Sequence, residues 1–187
     1  PIRSLAPGKT RREYAGMRQN TIQWSSGYTD AELRRAQEMY ELVFPADLVR
    51  LLSGPNPLGY DWRTDNEAIR KYLRWPYEGL LFDVEMNQLW LPDWGAKPER
   101  PEERAEVLKA IVDAAPKLIP LYGHRFLPEE PHEEGNPIFS VYQSDIIYYG
   151  SDLDNYILRE FINGPNHPLP QKIKKIRFWS QFVWEGE

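Results

Sequence analysis

The chain has 187 residues, no cysteine and a net charge of −5. This length is enough for one buried core, and the absence of cysteine excludes disulfides and thiolate metal sites. Its 41% apolar and 27% charged residues exclude a mostly disordered chain. No run of about 18 apolar residues occurs, and the first twenty residues are basic without an apolar block. We therefore expect a cytoplasmic protein with neither a membrane span nor a secretion signal.

Acidic residues are concentrated in one part of the chain. Residues 83–154 contain fifteen Asp and Glu against six Lys and Arg, a net charge of −9, whereas the remainder carries +4. A wide acidic field attracts basic proteins and repels phosphate backbones. We expect a basic protein partner and no direct binding of nucleic acid. The alternative interpretation is that acidic runs such as Glu102-Glu103 only keep the surface solvated.

The first 28 residues predict a loosely packed N-terminal arm. They lack sustained periodicity and include the turn-forming runs Pro7-Gly8 and Ser25-Ser26-Gly27. No second domain boundary or internal repeat follows. We expect one domain over residues 29–187, with a terminal strand or latch after about residue 164.

Three helices are predicted before residue 77. Pro45 interrupts the first helix and suits the first turn of a second, short one. Trp75-Pro76 is expected to end the third helix, because the residue before a proline disfavours helical backbone. The first and third helices begin at pairs with capping-box spacing, Thr29 with Glu32 and Thr64 with Glu67.

Strand-like runs dominate the second half of the chain. Leu80–Val84 and Gln88–Leu91 are short, partly aromatic and β-branched, and predict a β-hairpin. Residues 101–115 and about 151–162 have helical spacing and predict two helices. The predicted class is α+β, with a mainly antiparallel sheet packed against several helices. Three further strands are expected to join this sheet, at Leu118–Tyr122, Ile138–Tyr142 and Ile146–Tyr149.

Several sequence blocks follow a recognisable order. They are Phe44-Pro45-Ala46-Asp47-Leu48, Leu81-Phe82-Asp83-Val84-Glu85 through Trp90 to Trp94-Gly95, Leu118-Ile119-Pro120-Leu121, Gly123-His124-Arg125-Phe126, Asn136-Pro137-Ile138-Phe139 and Asp145-Ile146-Ile147-Tyr148-Tyr149-Gly150. The series resembles the motifs of the SUKH superfamily, which includes yeast cell-wall-synthesis regulators and many bacterial immunity proteins. The resemblance covers about residues 31–161, apart from residues 54–75.

The resemblance implies helices packed on a mainly antiparallel sheet, with no known catalytic centre and no cofactor. It implies an immunity protein that neutralises a cognate bacterial toxin, such as a nuclease or deaminase, by direct binding. The alternative is a regulatory or scaffold module linked to cell-wall synthesis or signalling, as in the yeast relatives.

Carboxylates and aromatic side chains supply the candidate interface. Asp83 and Glu85 are two residues apart on a predicted strand and would share one face. Charged residues on the solvated face of a hairpin are favoured over an acid/base pair for hydrolysis, because no nucleophile or metal-ligand pattern lies nearby. Contact with a basic partner is the functional alternative. Alternation along a strand would direct either Tyr148 or Tyr149 outward. The candidate partner-binding residues are Asp83, Glu85, Trp90, Trp94, Asp145, Tyr148, Tyr149 and Asp152.

No metal or nucleotide site is predicted. His124 and His132 are eight residues apart with prolines between them, which matches no recognised ligand pattern even with the neighbouring Glu133 and Glu134. The glycines form no phosphate-binding loop, and the serines lack the context of a catalytic nucleophile. We therefore predict a protein without cofactor, metal or catalytic residues.

Overall fold

The computed structural model describes residues 24–184. Five α-helices and a four-stranded antiparallel sheet form an α+β fold in these residues, so the predicted fold class is confirmed. The helices are α1 (Asp30–Tyr40), α2 (Ala46–Ser53), α3 (Glu67–Met86), α4 (Pro101–Asp113) and α5 (Leu153–Ile157). The strands are β1 (Leu118–Tyr122), β2 (Arg125–Pro128), β3 (Ile138–Tyr142) and β4 (Asp145–Gly150), and they lie side by side in chain order.

The first of the two predicted helix caps is confirmed. The backbone N–H of Glu32 donates to Thr29 Oγ1 at 3.2 Å, and that of Thr29 donates to Glu32 Oε2 at 2.8 Å. The second cap is wrong, because the residue that precedes α3 is Asn66, whose Oδ1 accepts from Ala68 N at 2.9 Å. An Asx side chain two residues after Thr64 therefore starts α3.

The end of the predicted arm packs against the domain. Ser25 N donates to Asn56 O at 3.0 Å, and Tyr28 is only 4% exposed. Residues 25–28 are therefore packed against the domain and not loosely attached to it. The rest of the predicted arm, residues 1–23, lies outside the described residues.

The predicted hairpin after residue 79 is wrong, because α3 continues through Pro76 to Met86. Pro76 removes one helical hydrogen bond, but the apolar face of α3 continues on both sides of Pro76. The chain then passes through the irregular segment 88–91 into a 3₁₀ turn at Pro92–Trp94. Burial of the apolar side of α3 on both sides of Pro76 offsets the free-energy cost of the proline. The buried apolar residues of α3 are Ile69, Pro76, Leu80 and Val84.

The sheet is covered on both faces. One buried cluster joins α1, α2 and α5 to the strand residues Ile119, Leu121, Leu127 and Ile138. The other joins α3, α4 and the C-terminal tail to Leu118, Phe126, Phe139, Val141 and Ile146. Because successive strand residues point to opposite faces, Tyr148 packs on the second cluster and Tyr149 on the first, and both are half-buried. The prediction that one of these tyrosines faces outward is wrong.

A largely buried ion pair connects the segment after α5 to the sheet. Arg125 Nε lies 3.1 Å from Glu160 Oε2, and the two side chains are 15% and 18% exposed. Arg125 Nη1 also donates to Ser140 Oγ at 2.8 Å, and its Cζ lies 3.7 Å from the centre of the Tyr149 ring. These contacts fix the segment after α5 over β2 and β3.

The predicted final helix is confirmed as α5, which continues as a π-helical turn at Leu158–Ile162. The tail after residue 164 contains no strand within the described residues. It docks as a latch, since Ile176 and Trp179 are buried and Trp179 Nε1 donates to Pro116 O at 2.6 Å. In the described part of the chain, no helix has the length and apolar character that crossing a membrane requires.

Candidate protein-binding surface

Asp83 is a buried hydrogen-bond acceptor near the end of α3. Its Oδ2 accepts from Ser144 N at 2.8 Å and from Ser144 Oγ, and its Oδ1 accepts from Asn87 Nδ2 at 2.6 Å. The residue is 4% exposed. Burial by itself would raise the pKa of Asp83, but the hydrogen bonds from Ser144 and Asn87 outweigh it and hold the pKa below its ordinary value. Asp83 therefore fastens the β3–β4 turn to α3.

Glu85 lies on a different side of α3 from Asp83. Residues two apart on a helix differ by about 200° in direction, and Glu85 Oε2 pairs with Arg104 Nη2 of α4 at 2.5 Å. The hydrogen bond from Arg104 lowers the pKa of Glu85. The predicted shared face of Asp83 and Glu85 is wrong, and so is the acid/base pair that depended on it.

Replacing Asp83 with asparagine should reduce stability in a pH-dependent way. The pKa of Asp83 is lower in the folded than in the unfolded chain, so its contribution is present above the unfolded pKa and is lost as pH falls through the folded pKa. We expect Asp83→Asn to lower the free energy of unfolding by about 1–3 kcal/mol at pH 7. The loss should shrink below about pH 4, as measured by urea unfolding at several pH values.

The matched control is Asp145→Asn, which removes an exposed carboxylate beside the same turn. A surface change of this kind should alter the free energy of unfolding by less than about 0.5 kcal/mol. If both variants lose the same stability at pH 7, Asp83 does not hold the turn.

Trp90 and Trp94 serve mainly to cover the core. Their rings meet edge to face with centres 5.5 Å apart, and Trp94 is 9% exposed. Trp90 Nε1 donates to Gly95 O at 2.8 Å. Both side chains belong to the packing around α3 and α4, which leaves little of Trp94 for a partner.

Three other residues of the predicted interface form hydrogen bonds or ring contacts with neighbouring residues. The Tyr148 hydroxyl donates to Ser180 Oγ at 2.7 Å, and the Arg125 guanidinium lies over the Tyr149 ring. Asp152 caps α5 by accepting from Asn155 N at 2.8 Å. These side chains are not brought together with Asp83 and Glu85 into one patch.

Asp145 lies exposed at the start of β4. Asp152 follows the other end of this strand. A strand of this length separates the two carboxylates by roughly 17 Å or more. The structure therefore places them at different ends of the sheet.

An exposed apolar surface lies beside Asp145 and was not predicted. Phe82 and Met86, four residues apart on α3, are 48% and 67% exposed, and Tyr142 at the end of β3 is 56% exposed. Glu78 precedes Phe82 by one further helical turn and is exposed. We call this set of five residues, Glu78, Phe82, Met86, Tyr142 and Asp145, the α3 face.

Direct contacts align α3 with the β3–β4 turn and so position the α3 face. Trp75 Nε1 donates to the β3 carbonyl of Val141 at 3.0 Å, and the Trp75 ring lies edge to face with Tyr142 at 6.0 Å. One turn later, Gly79 is close to the turn, since an added Cβ would lie 2.9 Å from Gln143 Cα. Only glycine permits this approach. Together with Asp83, these contacts hold residues 75–83 of α3 against the β3–β4 turn.

The histidine and glutamate residues considered for a metal site have other neighbours. His132 Nδ1 lies 2.9 Å from Glu129 O, Glu133 pairs with Lys174, and Glu134 pairs with Arg50. Over residues 24–184, no group of three or more His, Cys, Asp or Glu side chains is arranged to hold a metal ion.

Compared with protein-family models, curated proteins and solved structures, the chain matches none. The resemblance to the SUKH superfamily therefore stays a prediction, and the candidate surface depends on the geometry and charge of the chain itself.

Proposed function

We propose that this chain is a non-enzymatic binding protein that neutralises a basic toxin by direct contact through the α3 face. The observation that carries the proposal is the exposure of Phe82 and Met86 on one side of α3 and of Tyr142 at the end of β3. The exposed acidic residues Glu78 and Asp145 lie on α3 and at the start of β4. Clusters of exposed large apolar side chains are typical of protein-binding surfaces. Aromatic residues also contribute most of the binding free energy in many interfaces.

The charge of the chain supports a basic partner. Three of the five residues of the α3 face, Met86, Tyr142 and Asp145, belong to the segment 83–154, whose net charge is −9. Opposite charges on two proteins speed their association, and like charges suppress incorrect partners. A protein that binds nucleic acid carries a positive surface, so an acidic inhibitor fits the surface that such a protein uses for its substrate.

The resemblance to the SUKH superfamily supports the immunity role within this class of function. Bacterial members of that superfamily commonly protect the producing cell from nuclease or deaminase toxins by direct binding. The rigid attachment of α3 to the β3–β4 turn also supports recognition, because a surface that is ordered before binding loses less entropy. We propose a nuclease or deaminase effector as the target.

Affinity purification of the tagged chain from its native host, at low and moderate salt, tests the proposal. We expect one basic protein to co-elute in equal amount and to be retained less at moderate salt, because the long-range charge attraction is screened. Recovery of wall-synthesis or signalling proteins in its place would contradict the proposal and favour the scaffold role.

A further inference from the structure

A pocket of about 490 Å³ opens where α1, α3, α4 and the start of β1 meet the C-terminal tail. Buried residues from both core clusters line it, with Tyr40 and Leu42 from the first cluster and Leu118 and Trp179 from the second. Sites for small molecules usually have volumes of about 300–1,000 Å³. The pocket therefore has the size for a ligand of this class.

The buried side chains of this pocket offer mainly carbon surface to a ligand. The polar atoms among them already have partners within the chain, since Trp179 Nε1 donates to Pro116 O at 2.6 Å and the Tyr40 hydroxyl donates to Thr64 O at 2.9 Å. A polar ligand group placed there would lose its hydrogen bonds to water without replacing them. The inner part of the pocket therefore favours an alkyl or ring group.

Lys117 places a positive charge at the rim of the pocket. Its Nζ donates to Glu41 O at 2.5 Å, and both residues are exposed and line the pocket. An ammonium group has three N–H donors, so this bond fixes the position of the charge and leaves two donors. The other rim cations, Arg74 and Lys109, each pair with a carboxylate, whereas Lys117 forms no ion pair among residues 24–184. Lys117 can therefore bind the carboxylate of a ligand.

We propose that this pocket binds a small apolar molecule that carries one carboxylate, of the class of medium-chain fatty acids. The apolar group of the ligand packs against Leu118 and the ring of Trp179, and its carboxylate accepts hydrogen bonds from Lys117 Nζ. The pocket uses residues 73–77 of α3 and shares no lining residue with the α3 face. The site therefore does not depend on the proposed toxin-binding function.

Calorimetric titration of the full chain with octanoate tests the site. We expect saturable binding at one octanoate per chain, with a Kd below about 1 mM. Lys117→Gln should weaken this binding by about fivefold or more, because it removes a charge-assisted hydrogen bond. The matched control is Lys97→Gln, which makes the same change in net charge at an exposed position outside the pocket. It should change the affinity by less than about twofold.

Two further measurements test the role of the carboxylate and the place of binding. Octanol has the same alkyl chain without the charge, so Lys117→Gln should leave its affinity within about twofold of the original value. In NMR spectra of the indole N–H groups, octanoate should shift the signal of Trp179 and leave that of Trp184, which lies outside the pocket, unchanged.

Four results would each overturn the proposal. They are binding that does not saturate at about 5 mM octanoate, unchanged octanoate affinity in Lys117→Gln, equal weakening by Lys97→Gln, and a shift of the Trp184 signal without one of Trp179.

Discussion

Replacing Glu160 with alanine should lower the free energy of unfolding by about 3 kcal/mol or more. Arg125 would then remain as a mostly buried cation, held by Ser140 Oγ and the face of Tyr149 but without a counter-charge. Removal of one partner from a buried pair is costly because the other charge keeps its desolvation penalty. Urea unfolding followed by circular dichroism measures the difference.

The matched control for this prediction is Glu134→Ala. Glu134 also pairs with an arginine, Arg50, but these side chains are 52% and 49% exposed. An exposed pair of this kind contributes less than about 1 kcal/mol. A double Arg125→Ala/Glu160→Ala variant should lose less than the sum of the two single changes. Equal losses for Glu160→Ala and Glu134→Ala would contradict the role given to the buried pair.

Changing Phe82 and Met86 to serine should weaken the toxin complex by about thirtyfold or more, since truncating a central aromatic anchor costs roughly 2 kcal/mol or more. Met86 is largely exposed and Phe82 half exposed in the free chain, so the free energy of unfolding should change by no more than about 1 kcal/mol for each. Calorimetric titration against the partner recovered from the host gives the affinity, and urea unfolding gives the stability.

Val43→Ser is the control for surface apolarity in general. Val43 is 48% exposed, as Phe82 is, but it lies between α1 and α2 and outside the α3 face. Its substitution should leave the affinity within about threefold of the original value. If Val43→Ser weakened the complex as much as the α3 variant did, or if neither had an effect, the binding surface would lie elsewhere.

Local signals in the sequence were sufficient to predict many of the helices and strands. The reciprocal pair Thr29 and Glu32 identified the start of α1, because both partners of that cap lie within one helical turn. Prolines and apolar spacing likewise located α2, α4 and α5. Strand β2 was missed, since its run of four residues is short and has no alternating pattern.

The main error concerned residues 80–91. Leu80–Val84 is as apolar as a strand, and Pro76 suggested that the preceding helix had ended. The helical spacing from Ile69 through Pro76 and Leu80 to Val84 was the signal that would have found the full helix. The predicted hairpin also hid the exposed pair Phe82 and Met86, because it placed Phe82 in a strand and Met86 in the turn.

Sequence reasoning placed one residue of the α3 face, Asp145, and missed the others. Tyr142 was counted only as part of a strand, and no local pattern could show that Trp75 and Gly79 would place α3 alongside the β3–β4 turn. Asp83 was chosen for its charge, but its acceptors face Ser144, sixty-one residues further along the chain. Contacts at such separation depend on the tertiary fold and carry no local sequence signal.

The most direct test of the central claim is a titration of the recovered partner's toxic activity with this chain. We expect the activity to fall to background at one chain per toxin molecule. At the same ratio the Phe82→Ser/Met86→Ser variant should fail to suppress the activity, whereas Val43→Ser should suppress it fully. Toxic activity that continues unchanged while the original chain is bound in excess would contradict the claim that binding neutralises the toxin.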